Sequence, residues 1–362
     1  MPAKTDPVRS LTVAVLMLAL AIMLGWLLLV GRSLLMPIVV AVLSVYIISM
    51  ASEVLGRWPH TARLPALARK AILLLGFLLI LAALNGVIII TARDMMSRAP
   101  EYQENFESLV TNVMGRFGIE GNPDWRAIEE ATIGRLDMTD MIGGLAGSVG
   151  AAVGFLVITA VYALFLTAEA GGFRRKLAVA LPDERQAEKL MDVLNDINAR
   201  IGEYLAIKTL INIILGVICY VILLAFGVHS ALFWALIIAL LNYIPYFGSL
   251  LAVAFPVFLA MVQFASIPIT LALLALLTTA QMWVGNYLEP KLIGRTVNMS
   301  PFVVVAALAF WTTFWGVPGA ILAVPLTSML AIILAAFDQT RPFAVMLAHD
   351  VTEFERAHAE DG

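Results

Sequence analysis

Residues 231–264 read ALFWALIIALLNYIPYFGSLLAVAFPVFLAMVQF and contain no charged side chain. They belong to a longer stretch, 209–337, whose only charged residues are Glu289, Lys291 and Arg295. Because roughly 20 apolar residues cross the hydrocarbon core of a bilayer, this stretch predicts several membrane helices. The break at 242–248 then lies at membrane depth, where irregular backbone is tolerated only against protein or a water-filled cavity.

The whole chain has the composition of an integral membrane protein. Its 362 residues are 61% hydrophobic and 14% charged, whereas about a quarter of the residues in a soluble domain are charged. This composition predicts an all-α polytopic membrane protein. The net charge of −3 and the lack of a basic tail argue against nucleic acid as a partner. A single cysteine, Cys219, excludes an intrachain disulfide.

Six apolar runs are long enough to be clear transmembrane helices, at 11–30, 34–51, 71–92, 149–168, 210–227 and 268–288. The remaining apolar material forms two interrupted pairs, 231–241 with 250–264 and 301–315 with 320–336. Pieces of this length extend about 17 to 26 Å as helices. They therefore predict two broken helical hairpins, which either re-enter the membrane or cross it fully.

Basic residues concentrate in two connecting segments, with four in 51–70 and seven in 169–208. Such segments favour the cytoplasmic side, which predicts a multi-pass protein with cytoplasmic N- and C-termini. The predicted organisation is three transmembrane helices in 1–92, an external amphipathic helical insert at 93–148, a fourth helix at 149–168, a cytoplasmic amphipathic helical insert at 169–208, a transport core with the broken hairpins at 209–337 and a cytoplasmic tail at 338–362.

Each insert carries an apolar stripe at helical spacing. The external stripe consists of Tyr102, Phe106, Leu109, Val110, Val113, Met114 and Phe117. The cytoplasmic stripe consists of Leu190, Val193, Leu194, Ile197, Ile201, Tyr204 and Leu205. Both stripes favour packing against neighbouring helices or the membrane surface, and docking of a separate partner is the alternative.

The sequence offers few groups for catalysis. Its four histidines are far apart and form no metal-ligand spacing. No Gly-rich phosphate loop or nucleophile elbow occurs, and no predicted span has Asp, Glu or His near its middle. We therefore expect no enzymatic activity, no cofactor and no metal.

The break in the first hairpin is a candidate lining of a substrate path. Asn242 precedes Pro245 by about one turn, and proline frees backbone carbonyls and bends or ends a helix. Gly248 then allows the chain to turn closely. Freed carbonyls, amide groups and half-helix ends can bind a polar ligand at membrane depth. A purely structural kink explains the same pattern.

A second polar group lies at the cytoplasmic end of the span 268–288, where Gln281, Asn286 and Glu289 follow one another. Glu289 is expected to pair with Lys291 or Arg295, so an interfacial anchor is the alternative to a substrate path. Elsewhere in the core, Asn212 is a lone amide, which favours an interhelical hydrogen bond.

The second half of the chain, about 197–336, resembles the AI-2E family of bacterial transporters, which includes autoinducer-2 exporters. The resemblance is carried by Asn242-Tyr-Ile-Pro245-Tyr-Phe-Gly248, Asn286-Tyr-Leu-Glu289-Pro290-Lys291-Leu-Ile-Gly294 and Gly316-Val-Pro318-Gly319. It implies an inner-membrane transporter of small solutes with roughly seven or eight helices. Ser249 departs from the family pattern, which has proline after the turn.

The predicted function is export of a small polar metabolite or signalling molecule, autoinducer-2-like, across the inner membrane. The predicted path residues are Asn242, Pro245, Gly248, Gln281, Asn286, Glu289, Pro290, Gly294, Pro318 and Gly319. A Na+/H+ antiporter is one alternative, which the lack of a mid-membrane carboxylate opposes. A non-transporting scaffold is another. The expected partners are the lipid bilayer and the solute; a coupling ion (H+ or Na+) and a homo-oligomer are left open.

Overall fold

The described part of the chain consists of helices joined by short connections. The computed structural model describes residues 7–57, 61, 63–116, 154–155, 157–169, 172, 175–176, 179–180, 184–293 and 298–352. The helices are α1 (Pro7–Val30), α2 (Arg32–Gly56), α3 (Ala66–Ser97), α4 (Ala99–Arg116), α5 (Val157–Glu169), α6 (Glu184–Ala225), α7 (Ala231–Leu241), α8 (Phe247–Phe264), α9 (Ile267–Trp283), a π turn (Val284–Leu288), α10 (Glu289–Ile293), α11 (Pro301–Ala335) and α12 (Arg341–Leu347). These residues contain no strand, which confirms the predicted all-α fold.

Within the described part of the chain, six helices are long and apolar enough to cross a membrane, namely Arg32–Gly56, Ala68–Ser97, Arg185–Ala225, Phe247–Phe264, Ile267–Ile293 and Pro301–Ala335. Three predicted spans, 34–51, 71–92 and 268–288, lie within these helices, and the span 210–227 extends two residues beyond the end of Arg185–Ala225. The predicted first span lies in α1. The predicted fourth span is α5 from residue 157 onward, and its beginning at 149–153 lies outside the described residues.

The central helix is α6, which packs against α2, α7, α9, α10 and α11. One face of it is fully buried at every fourth residue, by Ile211, Leu215, Cys219 and Leu223. This is the spacing at which side chains share one face of a helix. The helix is 42 residues long and continuous. The predicted limit between the cytoplasmic insert and the transport core, at 208/209, therefore falls inside a helix and marks no break.

The first hairpin is formed by α7 and α8, as the sequence predicts. At its turn the Phe247 amide donates to the Pro245 carbonyl at 2.7 Å. Between them Tyr246 has φ 61° and ψ −60°, which is the conformation of a strained γ-turn. A Cβ at Gly248 would overlap the carbonyl oxygen of Leu241, so this turn requires glycine.

The second hairpin is α11, which folds back on itself although its helical hydrogen bonding is nearly continuous. Gly316, with φ 62° and ψ −142°, is non-helical. The Trp311 indole donates to the Thr327 hydroxyl at 3.0 Å, whereas 16 residues of straight helix would separate them by about 24 Å. The arms 301–315 and 317–335 therefore form the predicted hairpin, and α11 does not cross the membrane as one straight helix.

The two hairpins meet at their tips. Ile244 from the first hairpin shares a buried cluster with Leu308, Ala320 and Ala323 of the second. Near the second turn, the Trp315 indole donates to the Leu28 carbonyl of α1 at 3.2 Å. The buried neighbours of the two breaks, Ile244 and Trp315, thus pack against protein, whereas Tyr246 and Gly316 themselves are exposed.

The stripe predicted to be external lies, from Tyr102 to Met114, on helix α4, which packs against α8. The Asn105 amide donates to the Gln263 carbonyl at 3.0 Å, and the Tyr102 hydroxyl lies 2.9 Å from Nδ1 of His229. Burial raises the pKa of the Tyr102 hydroxyl, so it stays a neutral hydrogen-bond partner. The stripe therefore packs against a neighbouring helix; the rest of the insert, 117–148, lies outside the described residues.

Candidate functional site

A cavity of about 760 Å³ lies beside the tip of the first hairpin. Its wall is built by α6, α8, α9, the π turn, α10 and α11. Six of the predicted path residues line this central cavity, namely Asn242, Pro245, Gln281, Asn286, Glu289 and Pro290. The structure thus brings together two polar groups that are about 40 residues apart in sequence.

The other predicted path residues lie elsewhere. Gly248 is buried behind the tip of the first hairpin, at the start of α8. Pro318 and Gly319 belong to the turn of the second hairpin and do not line the cavity, to which that hairpin contributes the apolar residues Val304 and Val324. Gly294 lies outside the described residues.

The charged groups of the cavity form one ion pair. Lys208 donates from Nζ to Oε1 of Glu289 at 2.5 Å, and the two side chains are 6% and 29% exposed. The expected pairing of Glu289 with Lys291 is wrong, because the Lys291 ammonium instead lies 5.5 Å from the centre of the Tyr287 ring. Arg295, the other expected partner, lies outside the described residues.

Sequence reasoning missed Lys208 because its partner is 81 residues away. A signal was nevertheless present. The apolar stripe of the cytoplasmic insert includes Ile201 and Tyr204, and Lys208 follows Tyr204 at the next helical position of that face. Because α6 is continuous, this face carries the lysine to the cavity wall.

Amide groups supply the uncharged polarity of the site. Asn242 donates from Nδ2 to Oδ1 of Asn212 at 2.8 Å, which confirms the predicted interhelical hydrogen bond. Gln281 is 8% exposed, and its Nε2 has no hydrogen-bond partner among the described residues. A buried donor without a partner costs free energy. Gln281 thus carries an unpaired donor that is buried in the cavity wall.

A π turn shapes the wall opposite the hairpin tip. It joins α9 to α10 and places Gly285 and Asn286 on the cavity. Its i→i+5 hydrogen bonding admits one extra residue per turn, and such segments are frequent at functional sites. No pattern in residues 284–288 predicts this turn.

The polar lining of the central cavity consists of one ion pair together with amides and hydroxyls. The described residues contain no group of three or more His, Cys, Asp or Glu placed to hold a metal. The charges on the cavity wall neutralise each other, and the remaining polar groups are amides and hydroxyls. Such a wall can hold an uncharged solute by hydrogen bonds while apolar side chains enclose it.

Comparison with known proteins agrees with a transport role. The family description that matches residues 13–339 is AI-2E family transporter. The AI-2 transport protein TqsA of Escherichia coli is 26% identical over 342 residues, which cover 91% of this chain and 96% of TqsA. A provisionally named transport protein of Borreliella burgdorferi is 30% identical over 258 residues, or 70% of this chain and 68% of that protein. Another transport protein, from Haemophilus influenzae, is 31% identical over 280 residues, which cover 75% of this chain and 78% of that protein.

Proposed function

The chain belongs to the AI-2E family of membrane transporters, and we propose that it exports a small, polar, uncharged solute through the central cavity. The observation that carries this proposal is the Lys208–Glu289 pair. These are the only charged side chains among the described residues of the cavity wall, and they neutralise each other at 2.5 Å. A charged solute would have to break this pair, whereas an uncharged one would not.

The proposed substrate is a small oxygen-rich molecule of the autoinducer-2 type. The name of TqsA assigns AI-2 transport to that protein, and the unpartnered Gln281 donor supports an acceptor-bearing solute here. Asn242 and Asn286 offer further amide groups on the same wall. Hydrogen bonds of this kind fix orientation in a pocket whose remaining lining is apolar.

The family assignment supports a transporter and not the Na+/H+ antiporter alternative. Glu289 gives a physical reason, because its carboxylate is already paired with Lys208. An antiporter usually needs an ionisable group that alternately releases a proton and binds the cation. The scaffold alternative is likewise set aside by the family assignment.

The orientation and assembly of the protein are further parts of the proposal. The basic segments 51–70 and 169–208 favour cytoplasmic N- and C-termini in the bacterial inner membrane. The outward direction of transport is likewise part of the proposal. A coupling ion (H+ or Na+) and homo-oligomeric assembly are compatible with this description, and no residue is assigned to either.

Efflux from proteoliposomes tests the proposed site. Vesicles loaded with autoinducer-2, or with uncharged metabolites, are compared for the parent protein and for Gln281→Ala. Loss of one buried hydrogen bond of about 1.4 kcal/mol predicts a roughly tenfold lower efflux at limiting solute. Gln103→Ala is the matched control, because Gln103 pairs with Glu107 on α4, away from the cavity. Equal efflux by all three proteins would contradict the site.

A further inference from the structure

A second cavity of about 810 Å³ lies beyond the central one. This vestibule is bounded by the first half of α6, the end of α11, and α12. Its wall carries charges of both signs, including Asp192, Asp196 and Arg200. Among the described residues, Met299 is the one that lines both cavities. Met299 therefore lies where the two spaces adjoin.

The separation is an apolar collar. Met299, 8% exposed, packs in one buried cluster with Ile201, Tyr204 and Val324. Ile201 also lines the vestibule, whereas Tyr204 and Val324 line the central cavity. An apolar constriction of this kind opposes the passage of hydrated solutes. The collar lies between the central cavity and the vestibule.

Met299 has the chemical character of a movable part of this collar. Its side chain is unbranched, with three rotatable bonds, and adapts to irregular surroundings. The hydroxyl of Ser328 lies 3.8 Å from its sulfur. Tyr204 and Ile201 belong to the long helix α6 and cannot leave the collar alone. A change of rotamer at Met299 would open a passage with little movement of the backbone.

The segment that carries Met299 is tied to the chain that follows α12. The side-chain oxygen of Asn298 accepts from the amides of His349 and Asp350 at 3.0 and 2.8 Å. Its Nδ2 donates to the Asp350 carbonyl at 2.6 Å. The next residue but one, Ser300, donates its amide to the Leu347 carbonyl at 3.1 Å. Four hydrogen bonds thus tie the residues on either side of Met299 to the chain at 347–350.

We propose that Met299 is a gate between the central cavity and the vestibule, and that Asn298 is the latch that holds it closed. The inference rests on the proposed function, since a gate has meaning only on a transport path. It extends that path from Gln281 and Asn242 through the collar to the vestibule. The C-terminal segment at 347–350 thereby takes part in controlling the passage of solute.

Swelling of proteoliposomes in an uncharged polyol, erythritol, tests the gate without knowledge of the natural substrate. Met299→Ala is expected to raise erythritol entry roughly tenfold, as a shift of about 1.4 kcal/mol toward the open state would do. Met346→Ala is the matched control, because Met346 is 78% exposed on α12. Equal entry through both variants, each eluting as a single folded species, would overturn the gate.

Thiol labelling tests the latch with a readout independent of flux. Cys219 is buried and is the only native cysteine. In a Cys219→Ala background, the thiol of Met299→Cys is therefore the only one that a reagent can label. A water-soluble methanethiosulfonate reagent added on the vestibule side is expected to label this thiol. Adding Asn298→Ala is expected to speed labelling about tenfold, corresponding to loss of roughly 1.4 kcal/mol from the latch. An unchanged labelling rate would overturn the role of Asn298.

The two proposals fail in different ways. If Gln281→Ala lowers efflux of the natural solute while Met299→Ala admits no erythritol, the gate is wrong and the central site stands. If the parent exports solute and Gln281→Ala exports it equally well, the central site is wrong, whatever Met299 does.

Discussion

The two hairpins turn the chain by the same means but serve the molecule differently. In the first, a Cβ at Gly248 would overlap the Leu241 carbonyl; in the second, a Cβ at Gly319 would overlap the Trp311 carbonyl. Yet the first turn places Asn242 on the central cavity, whereas the second hairpin adds only apolar wall. The backbone device alone therefore does not make a polar site. The side chains displayed beside the turn decide which hairpin meets solute.

The largest expected effect comes from breaking both turns. Gly248→Ala and Gly319→Ala each force Cβ against a backbone carbonyl that cannot move aside. We expect each to cost at least ~4 kcal/mol, a loss that single substitutions rarely exceed. The measurement is the yield and thermal unfolding of detergent-solubilised protein. Gly86→Ala is the control, because a Cβ there meets nothing within 4 Å. If the protein tolerates one of these two variants but not the other, the two turns are not equivalent.

Breaking the ion pair sharpens the contrast, because Lys208 and Glu289 line the same cavity as Asn242 of the first hairpin. Glu289→Gln leaves the nearly buried Lys208 ammonium without a partner and is expected to cost about 3 kcal/mol. Lys208→Met is expected to cost less, since Glu289 is 29% exposed to solvent. The double variant should recover much of the loss. Thermal unfolding of all three checks this order, with Lys291→Met as the control; two equal single losses would contradict it.

The backbone at the two turns predicts effects of opposite sign. Gly316→Ala places a side chain at φ 62° and ψ −142° with open space around it, so strain alone is expected to cost about 1–3 kcal/mol. Tyr246→Gly relieves the strained γ-turn at φ 61°. After the entropic cost of glycine it should be neutral or about 1 kcal/mol stabilising. The unfolding temperatures of both variants test this prediction. A clearly lower unfolding temperature for Tyr246→Gly would show that the Tyr246 ring stabilises the turn by more than its backbone strain destabilises it.

The smallest expected effect concerns the base of the first hairpin, which α4 holds from outside the cavity. Asn105→Ala removes the hydrogen bond to the Gln263 carbonyl and is expected to cost about 1 kcal/mol. Gln103→Ala loses only a contact within α4 and should change stability by less than roughly 0.5 kcal/mol. Solute efflux should be unchanged in both. If Asn105→Ala lowers efflux although its loss of stability is only about 1 kcal/mol, helix α4 is coupled to transport.

The sequence predicted what depends on local chemistry. Pro245 and Gly248, and Gly316 with Gly319, interrupt apolar runs, and both interruptions are turns in the structure. Periodic apolar residues predicted α4 over most of its length. The pairing of Lys208 with Glu289 could not be predicted in this way, because the two residues are distant in the chain and only the packing of α6 against α10 joins them. The π turn was missed for a related reason, since it reflects a register shift that no residue type specifies.

The length of α6 has a mechanical consequence. Its 42 residues form a rod of about 63 Å, roughly twice the thickness of a hydrocarbon core. The same rod bears Asp192 and Arg200 on the vestibule wall and Lys208 on the central cavity. Asp192 and Lys208 are 16 residues apart on this rod, so the helix fixes the vestibule wall and the central cavity about 24 Å apart along its axis.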